Sequence, residues 1–545
     1  MDKFTISGNI VDICQQSVYP GTILVEDGTI VAIARESDRH YESYIIPGFV
    51  DAHVHIESSM LVPTEFARLA TVHGTVAAVS DPHEIANVLG LSGVHFMVDN
   101  AAQTPFQIAF GAPSCVPATP YETAGAKLTP GDIRRLFEEK TVSYLSEMMN
   151  VPGVLTKDSE LIAKIEIAQA LGLPIDGHAP GLRGEEAERY GSAGISTDHE
   201  CLTLAEAQDK LEAGMKILIR EGSAAKNFAA LHPLIENYCD RCMFCSDDKH
   251  PDDLVRRHIN DLVRRSLALG YDLMKVLQVA CVNPIIHYNL PVGLLRPQDS
   301  ADFIVVDNLQ DLNVQRTYCR GVLVAERGKS LLPSLPIEPL NRFATSPKQV
   351  EDFILPATGS TVRVIEAMDG QLTTKELLFP AAVKNGAISC DLDRDILKIA
   401  VVNRYRDTKP AVALVKNFGL KKGAIASSVA HDSHNIVAVG TTDAEICEAV
   451  NQIILNGGGI AVAEGDFAEI LPLPVAGLMS TEDGYTVAQK YAHLDTRAKG
   501  LGSTLSAPFM TLSFMALLVI PELKISDRGL FSSKEFNLVS VCLDE

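Results

Sequence analysis

The sequence is short of positive charge. Its 545 residues include 69 Asp and Glu against 47 Lys and Arg, which gives a net charge of −22. Proteins that bind nucleic acid or an anionic membrane surface need a basic face, so this balance argues against both kinds of partner. A small substrate that is neutral or cationic fits the composition better.

Long apolar runs are also missing. The longest apolar segment, "FMTLSFMALLVIP", is interrupted by Thr and Ser and is shorter than the roughly 20 residues that a membrane-spanning helix needs. The first residues, "MDKFTISGNIVD", lack the basic start and the apolar core of a signal peptide. We therefore expect a soluble protein located in the cytoplasm.

The eleven cysteines are too few and too scattered for a disulfide framework, and we expect reduced thiols. Cys239, Cys242 and Cys245 follow a C-x2-C-x2-C pattern, but the fourth cysteine of an iron–sulfur sequence is missing. Cys245 also lies in an apolar, strand-like run. This pattern therefore favours buried structural cysteines over a cluster site.

Three sections of the chain differ in pattern. Residues 1–46 and 291–345 contain short strands with turn signals, which predicts one small β-sandwich-like domain built from both flanks of an insertion. Residues 346–545 mix strand-like and helix-like stretches and predict a separate α+β domain. There "LNGGGIAVAEGD" lacks the lysine and the spacing of a phosphate loop, which favours a turn between a helix and a strand.

The section between them, residues 47–290, alternates strand-like runs with helical spacing. Eight such alternations over about 240 residues predict a (β/α)8 barrel. The strand-like runs end in polar residues, which is where such barrels place active sites. The eight runs are "YIIPGFVDAHVHI", "HGTVAAVSDPH", "FQIAFGAPSC", "VSYLSEMMN", "LPIDGHA", "GISTDHE", "MKILIREGS" and "RCMFCSDD".

His53 and His55 lie one residue apart at the end of the first run. Side chains at i and i+2 of a strand point to the same face, so both imidazoles would point to one place. An isolated H-x-H pair is more often structural, but further strand ends supply Glu147, His178, His199 and Asp247. Four histidines and two carboxylates at one barrel mouth are enough for two divalent metal ions. Glu147 is the predicted bridge between them, because a shared anion relieves the repulsion of two cations.

Other polar residues at the strand ends are candidates for binding substrate or for supporting the ligands. Each is individually more common as a helix cap or a supporting partner, and Asp81 before a proline is a plausible cap. Their occurrence together at the strand ends is what singles them out. They are Glu57, Asp81, His83, Glu84, Glu200, Arg220, Glu221 and Asp248.

These motifs resemble the amidohydrolase superfamily of metal-dependent hydrolases and, within it, the adenine deaminase family. The segments "PGFVDAHVHIESSM", "SDPHEIANVLG", "EMMNVPGV", "DGHAPGL" and "SDDKHPDDL" match that family's pattern, as do "HDSHN" and "LSFMALLVIPELKISDRGL" near the C-terminus. H-x-H marks only the superfamily, whereas "HIESSM" with "DPHEIANV" is more specific. The resemblance covers essentially the whole chain.

The resemblance implies hydrolysis of adenine to hypoxanthine and ammonia at a glutamate-bridged pair of metal ions. Mn2+ or Fe2+ are the expected ions, with Zn2+ as an alternative, and a homo-oligomer, with a dimer as the guess, is expected. Asp247, Glu84 and His83 are the predicted catalytic residues, with Asp247 moving the proton. From the residues alone, a cyclic amide hydrolase, a deacetylase or a non-catalytic barrel scaffold stays open.

The C-terminal section contains a further polar motif, "VAHDSHNIVAVG". Its Asp and Ser could simply hydrogen-bond their own backbone in a turn. A reactive barrel mouth, however, must exclude water, and a second domain packed over it would do so. We therefore expect His431 and His434 to face the barrel mouth and to contact substrate without binding the metals.

Overall fold

The computed structural model describes residues 3–543. Eight parallel strands form the central barrel, as the sequence pattern predicts. Five lie in one sheet and three in a second. In chain order they are Phe49–Val54, Thr75–Ser80, Gln107–Ala112, Tyr144–Met148, Ile175–Gly177, Thr197–Asp198, Lys216–Arg220 and Cys242–Cys245.

Backbone hydrogen bonds close the two sheets into a barrel. The amide of Asp247, after the eighth strand, donates to the His53 carbonyl at 2.9 Å, and the His55 amide donates to the Asp247 carbonyl at 3.3 Å. At the other junction, the amide of Ser196 donates to the carbonyl of Ile175 at 2.8 Å. Closure therefore places the first and last strand ends directly beside each other.

Helices surround the barrel. Strands such as Thr75–Ser80 are buried along their whole length because the interior covers one face and helices cover the other. Several helices begin at polar caps; Thr129, for example, accepts a hydrogen bond from the Asp132 amide. The barrel helices are Pro63–Ala70, His83–Leu89, Leu91–Ala101, Pro130–Glu138, Val151–Thr156, Ser159–Ala170, Gly184–Ser192, Leu204–Glu212, Phe228–Leu231, Leu234–Tyr238, Pro251–Leu254, Ile259–Ala268, Leu273–Leu277 and Asn283–His287.

An eight-stranded sheet draws its strands from both flanks of the barrel. The junction is the pairing of Tyr44–Pro47 with Lys3–Asp12 on one side and with Phe303–Val306 on the other. In spatial order its strands are Lys329–Ser330, Val322–Glu326, Val314–Cys319, Phe303–Val306, Tyr44–Pro47, Lys3–Asp12, Ser17–Glu26 and Thr29–Arg35. The domain boundaries at residues 46, 290 and 345 stay a prediction.

The C-terminal section is built on a nine-stranded sheet. Its main strands in spatial order are Thr374–Pro380, Thr361–Ala367, Ala411–Lys416, Ile396–Val402, Ile436–Gly440, Ala424–Ser427, Gly459–Glu464 and Phe467–Pro472, and Cys542–Leu543 pairs beside Thr361–Ala367. Three helices, Asp443–Leu455, Gly484–Gly500 and Pro508–Phe514, accompany it. A three-stranded sheet of Leu523–Ser526, Gly529–Ser532 and Asn537–Val539 follows, and short strands at Leu355–Pro356, Val383–Lys384 and Ala387–Ile388 form another.

Two smaller sequence interpretations can be compared with the fold. The "LNGGG" segment lies between the helix Asp443–Leu455 and the strand Gly459–Glu464, as expected for a turn. All eleven cysteines are free, and Cys242–Cys245 forms the buried eighth barrel strand. Among residues 3–543, no helix is long and apolar enough to cross a membrane.

Candidate active site

His53 and His55 leave the first barrel strand on the same side. Both are buried, and their Nε2 atoms lie 3.2 Å apart. Their side chains point the same way because residues i and i+2 of a strand lie on the same face. Two ring nitrogens that face each other at this distance suit ligands of a common cation.

Glu147 ends the fourth strand and lies between two groups of histidines. Its Oε1 is 3.3 Å from His55 Nε2, whereas its Oε2 is 2.8 Å from His178 Nδ1 and 3.1 Å from His199 Nε2. Burial alone would raise the pKa of Glu147, but His178 and the other histidines hold it well below the usual range. Each oxygen of this ionised carboxylate therefore faces a different set of imidazoles.

Asp247 completes the first group. Its Oδ1 lies 3.3 Å from His55 Nε2 and 3.7 Å from His53 Nε2. The backbone pairing that closes the barrel puts it there. Burial would raise its pKa, but Arg220 and the neighbouring histidines hold the pKa of Asp247 well below its ordinary value.

The chemistry of this donor set fits a divalent metal. His53, His55 and Asp247 each offer one atom within 4.8 Å of the others, and so do His53, Glu147 and His199. All are buried, and Nδ1 of His53 and Nε2 of His178 have no hydrogen-bond partner. Imidazole nitrogens and carboxylate oxygens are the donors that first-row transition metals prefer.

Arg220 and Glu200 lie behind the donors and pair with each other. Arg220 Nη1 donates to Glu200 Oε1 at 2.5 Å and also to Asp247 Oδ2, and Nη2 donates to Glu200 Oε2 at 3.1 Å. The guanidinium is almost completely buried. Its charge offsets two carboxylates and fixes the orientation of Asp247. The role of Arg220 in binding substrate stays a prediction.

Glu221 does not reach the cluster. Its carboxylate pairs with Arg265 at 2.8 Å. Successive side chains of a strand point to opposite sides, so the neighbour of the inward-facing Arg220 must turn away. The predicted contact of Glu221 with substrate therefore has no support from its position here and stays a prediction.

The second strand end contributes Asp81, His83 and Glu84. Asp81 Oδ1 accepts from the His83 amide, and Oδ2 lies 3.0 Å from His83 Nδ1, so Asp81 fixes the neighbouring turn and ring. Nε2 of His83 is buried, has no hydrogen-bond partner, and lies 3.4 Å from Glu84 Oε1. Asp81 therefore acts here as a support, and His83 faces the cavity.

Glu84 is held by the C-terminal domain. His431 Nδ1 donates to its Oε1, and His434 Nε2 donates to its Oε2 at 2.5 Å. Because His434 Nδ1 accepts from the Ala430 amide, its hydrogen is on Nε2. Burial would lower the pKa of His431, but Glu84 and Asp248 raise it to about 9. The "HDSHN" segment therefore lies at the barrel mouth, as expected, and its role in binding substrate stays a prediction.

Glu57 and Asp248 lie at the edge of this group. Glu57 Oε1 accepts from the Ile85 amide at 3.2 Å, its Oε2 has no partner, and burial raises its pKa to about 7. Asp248 Oδ1 accepts from the Ser58 hydroxyl at 2.5 Å and lies 3.8 Å from His431 Nε2. Asp248 lines the cavity and is able to contact a small substrate, whereas Glu57 is not among the lining residues and its role in binding substrate stays a prediction.

Sequence reasoning missed the apolar part of the site. Leu372, Phe514 and Leu517 of the C-terminal domain line the cavity together with Met149. Phe514 and Leu517 belong to the apolar run "FMTLSFMALLVIP", whose pattern indicates only burial. No sequence signal pointed to Leu372.

Comparison with known proteins places the chain in a family. The profile of the amidohydrolase family matches residues 44–324, and that of the adenine deaminase C-terminal domain matches residues 371–537. The chain belongs to the adenine deaminase family. It is 56% identical to a protein named adenine deaminase from Sulfurovum sp. (strain NBC37-1), over 98% of this chain and 99% of the relative.

Another relative and one solved structure are also similar to this chain. A protein named adenine deaminase from Salinibacter ruber is 54% identical over 99% of both chains. Among solved structures, a β-aspartyl dipeptidase from Fervidobacterium islandicum has a TM-score of 0.48 at 14% identity, covering 62% of this chain and 100% of its own. Membership of the amidohydrolase family implies a divalent metal, and the buried cluster is able to hold one.

Proposed function

We propose that this protein hydrolyses adenine to hypoxanthine and ammonia. The observation that carries the proposal is the complete donor set around Glu147 in a chain whose full-length relatives are named adenine deaminase. A barrel scaffold without activity would have no need to bury four imidazoles and two carboxylates facing one another.

We further propose that two divalent ions bind here, with Mn2+ or Fe2+ favoured and Zn2+ as an alternative. His53, His55 and Asp247 would hold one ion and His178 and His199 the other. Glu147 would bridge them, because its two oxygens face the two groups separately. When bound, such a pair lowers the pKa of water towards neutrality and so supplies the nucleophile.

We propose that Asp247 moves the protons of the reaction. Arg220 holds its Oδ2, which leaves Oδ1 facing the donors and the cavity. In the proposed reaction Asp247 accepts the proton of the attacking water and returns it to the leaving amino nitrogen. Water adds at C6 of the purine while the C6=N1 electron pair moves to N1, which takes up a proton. The bond from C6 to the amino nitrogen then breaks as C6=O forms, ammonia leaves, and the hydroxyl proton of the added water balances the proton taken up at N1.

His83 and Glu84 are the groups proposed to handle the ring nitrogens. His83 Nε2 faces the cavity without a partner, and Glu84 is oriented by two histidines. Glu57 and Asp248 would add contacts at the edge of the purine. A polar pocket that must be satisfied by ring nitrogens discriminates against substrates without them.

The direct test is ammonia release from adenine by the purified protein, with metals counted in the same sample. Adenine is expected to be deaminated, and adenosine and cytosine to be poor substrates. Absence of turnover on adenine by protein carrying two equivalents of Mn2+ would refute the proposal, and efficient turnover of adenosine would refute the substrate.

We propose that the protein binds neither nucleic acid nor membranes, in keeping with the net charge of −22. We also propose a cytoplasmic homodimer, on which composition has no bearing. Light scattering coupled to size-exclusion chromatography tests the dimer, and a monomer peak at all concentrations would contradict it.

A further inference from the structure

The barrel mouth is closed by apolar side chains of the C-terminal domain. Leu372, Phe514 and Leu517 line the cavity, and the Phe514 ring stacks on His431 with centroids 5.1 Å apart. The cavity volume is about 20 Å³. A volume of this size holds a water molecule, and Leu372, Phe514 and Leu517 form the apolar wall of the site.

Leu372, Phe514 and Leu517 belong to one small apolar cluster. Other side chains of the same segment pack into the main core, namely Phe509, Leu512, Met515 and Ala516. We call residues 372 and 508–520 the lid. The cluster consists of Ala224, Ala225, Leu372, Ala507, Met510, Phe514, Leu517 and Ile520.

Lys524 lies directly behind the lid on the strand Leu523–Ser526. Its Nζ donates to the Leu372 carbonyl at 2.6 Å and to the Phe514 carbonyl at 2.9 Å. The side chain is completely buried. No carboxylate within the described part of the chain lies in ion-pair range of it, whereas the other buried C-terminal lysines, Lys348 and Lys398, each have one.

Burying an amine without an acidic partner costs folding free energy. The two hydrogen bonds of Lys524 therefore indicate a specific role for this side chain. Burial lowers the pKa of Lys524 to about 7. Charged or neutral, the amine has the two N–H groups that the carbonyls accept. Those carbonyls belong to Leu372 and Phe514, two cavity-lining residues that come from separate segments of the chain.

We propose that Lys524 is a positioning residue that joins the two lid segments and holds Leu372 and Phe514 over the bound purine. The proposal rests on the proposed deamination of adenine. Without Lys524 the two segments would keep their side chains but lose the link between them, so the closed lid would be less populated.

Lys524→Met tests this directly, because Met keeps the apolar stem and removes both donors. The KM for adenine is expected to rise about tenfold, as two hydrogen bonds of the closed lid are lost. Metal content is expected to stay unchanged. Amide hydrogen exchange is expected to accelerate in residues 370–373 and 508–520, in the metal-loaded protein without substrate.

Lys398→Met is the matched control. Lys398 is a buried lysine of the same domain that donates to the Phe353 carbonyl and to Asp443, away from the lid. This variant is expected to lose stability while KM and lid exchange stay at wild-type values. Equal effects of the two substitutions would show that Lys524 acts only on stability and would overturn the proposal.

The exchange measurement also separates this proposal from the proposed function. If the wild-type protein does not deaminate adenine, lid exchange still reports whether Lys524 holds the segments, and wild-type exchange in Lys524→Met overturns its role. If Lys524→Met does not fold, Leu372→Ala removes one lid side chain and leaves the Lys524 bond to its backbone. Its KM is expected to rise, and an unchanged KM would refute the lid.

Discussion

Lys210 is expected to hold the fifth and sixth strand ends in the positions that the metal site needs. It lies on the helix Leu204–Glu212 and is fully buried. Its Nζ donates to the Ala179 carbonyl at 2.5 Å, to Asp198 Oδ1 at 2.9 Å and to Glu206 Oε1 at 3.0 Å. Ala179 follows His178 and Asp198 precedes His199, so one ammonium group connects both proposed ligands.

The substitution Lys210→Met would leave two carboxylates without their cation. Burial would lower the pKa of Lys210, but Asp198 and Glu206 raise it, which indicates strong interaction. Breaking a buried ion pair by removing one partner costs about 3–5 kcal/mol. Loss of a group that orients metal ligands typically weakens metal binding by about 10–100-fold.

The expected outcome is a lower free energy of unfolding together with weaker metal retention. Urea unfolding followed by circular dichroism measures the first, and elemental analysis after dialysis against a weak chelator measures the second. Lys127→Met is the control, since Lys127 forms an ion pair with Glu160 at 2.8 Å but is 60% exposed. An exposed ion pair of this kind contributes little to stability, because water and salt screen it. If Lys210→Met had the same free energy of unfolding as Lys127→Met and kept its metal, the proposed role of Lys210 would be refuted.

Three further predictions concern the site and the lid. Replacing His53, His178 or His199 by Ala is expected to lower bound metal and activity together, and full metal occupancy in these variants would contradict their role as ligands. Asp247→Asn is expected to keep at least one ion and lose most turnover. Near wild-type turnover in Asp247→Asn would contradict its role in proton transfer. Replacing His431 and His434 together by Ala removes both partners of Glu84, so kcat or KM for adenine is expected to worsen with metal content intact; unchanged kinetics would leave the segment as a structural turn. Burial lowers the pKa of Lys524 to about 7, so the unfolded chain holds one more proton than the folded protein between about pH 7 and pH 10. Wild-type stability is therefore expected to rise relative to Lys524→Met by up to ~1.4 kcal/mol per pH unit across that window. A stability difference that does not change with pH would refute the shifted pKa.

The barrel and the proposed metal ligands could be predicted from the sequence because both depend on patterns between residues that are close together in the chain. Strand periodicity orients His53 and His55, and parallel strands deliver their C-terminal ends to one mouth. Glu147, His178, His199 and Asp247 follow from the same rule, and the structure brings all of them together. The expected position of the "HDSHN" segment came from a need to exclude water, and its neighbours at the barrel mouth agree with that argument.

Contacts between distant segments could not be read in this way. The sequence around Glu84 does not indicate that two histidines about 350 positions later hydrogen-bond to its carboxylate. Arg220 has the residue type of a substrate contact, but in the folded protein its guanidinium pairs with Glu200 and Asp247. The neighbouring Glu221 pairs with Arg265 instead. Lys524 and the lid depend on the packing of the C-terminal domain over the barrel. Such pairings are selected by the burial of charge, which exists only once the segments have come together, so the order of residues along the chain does not reveal them.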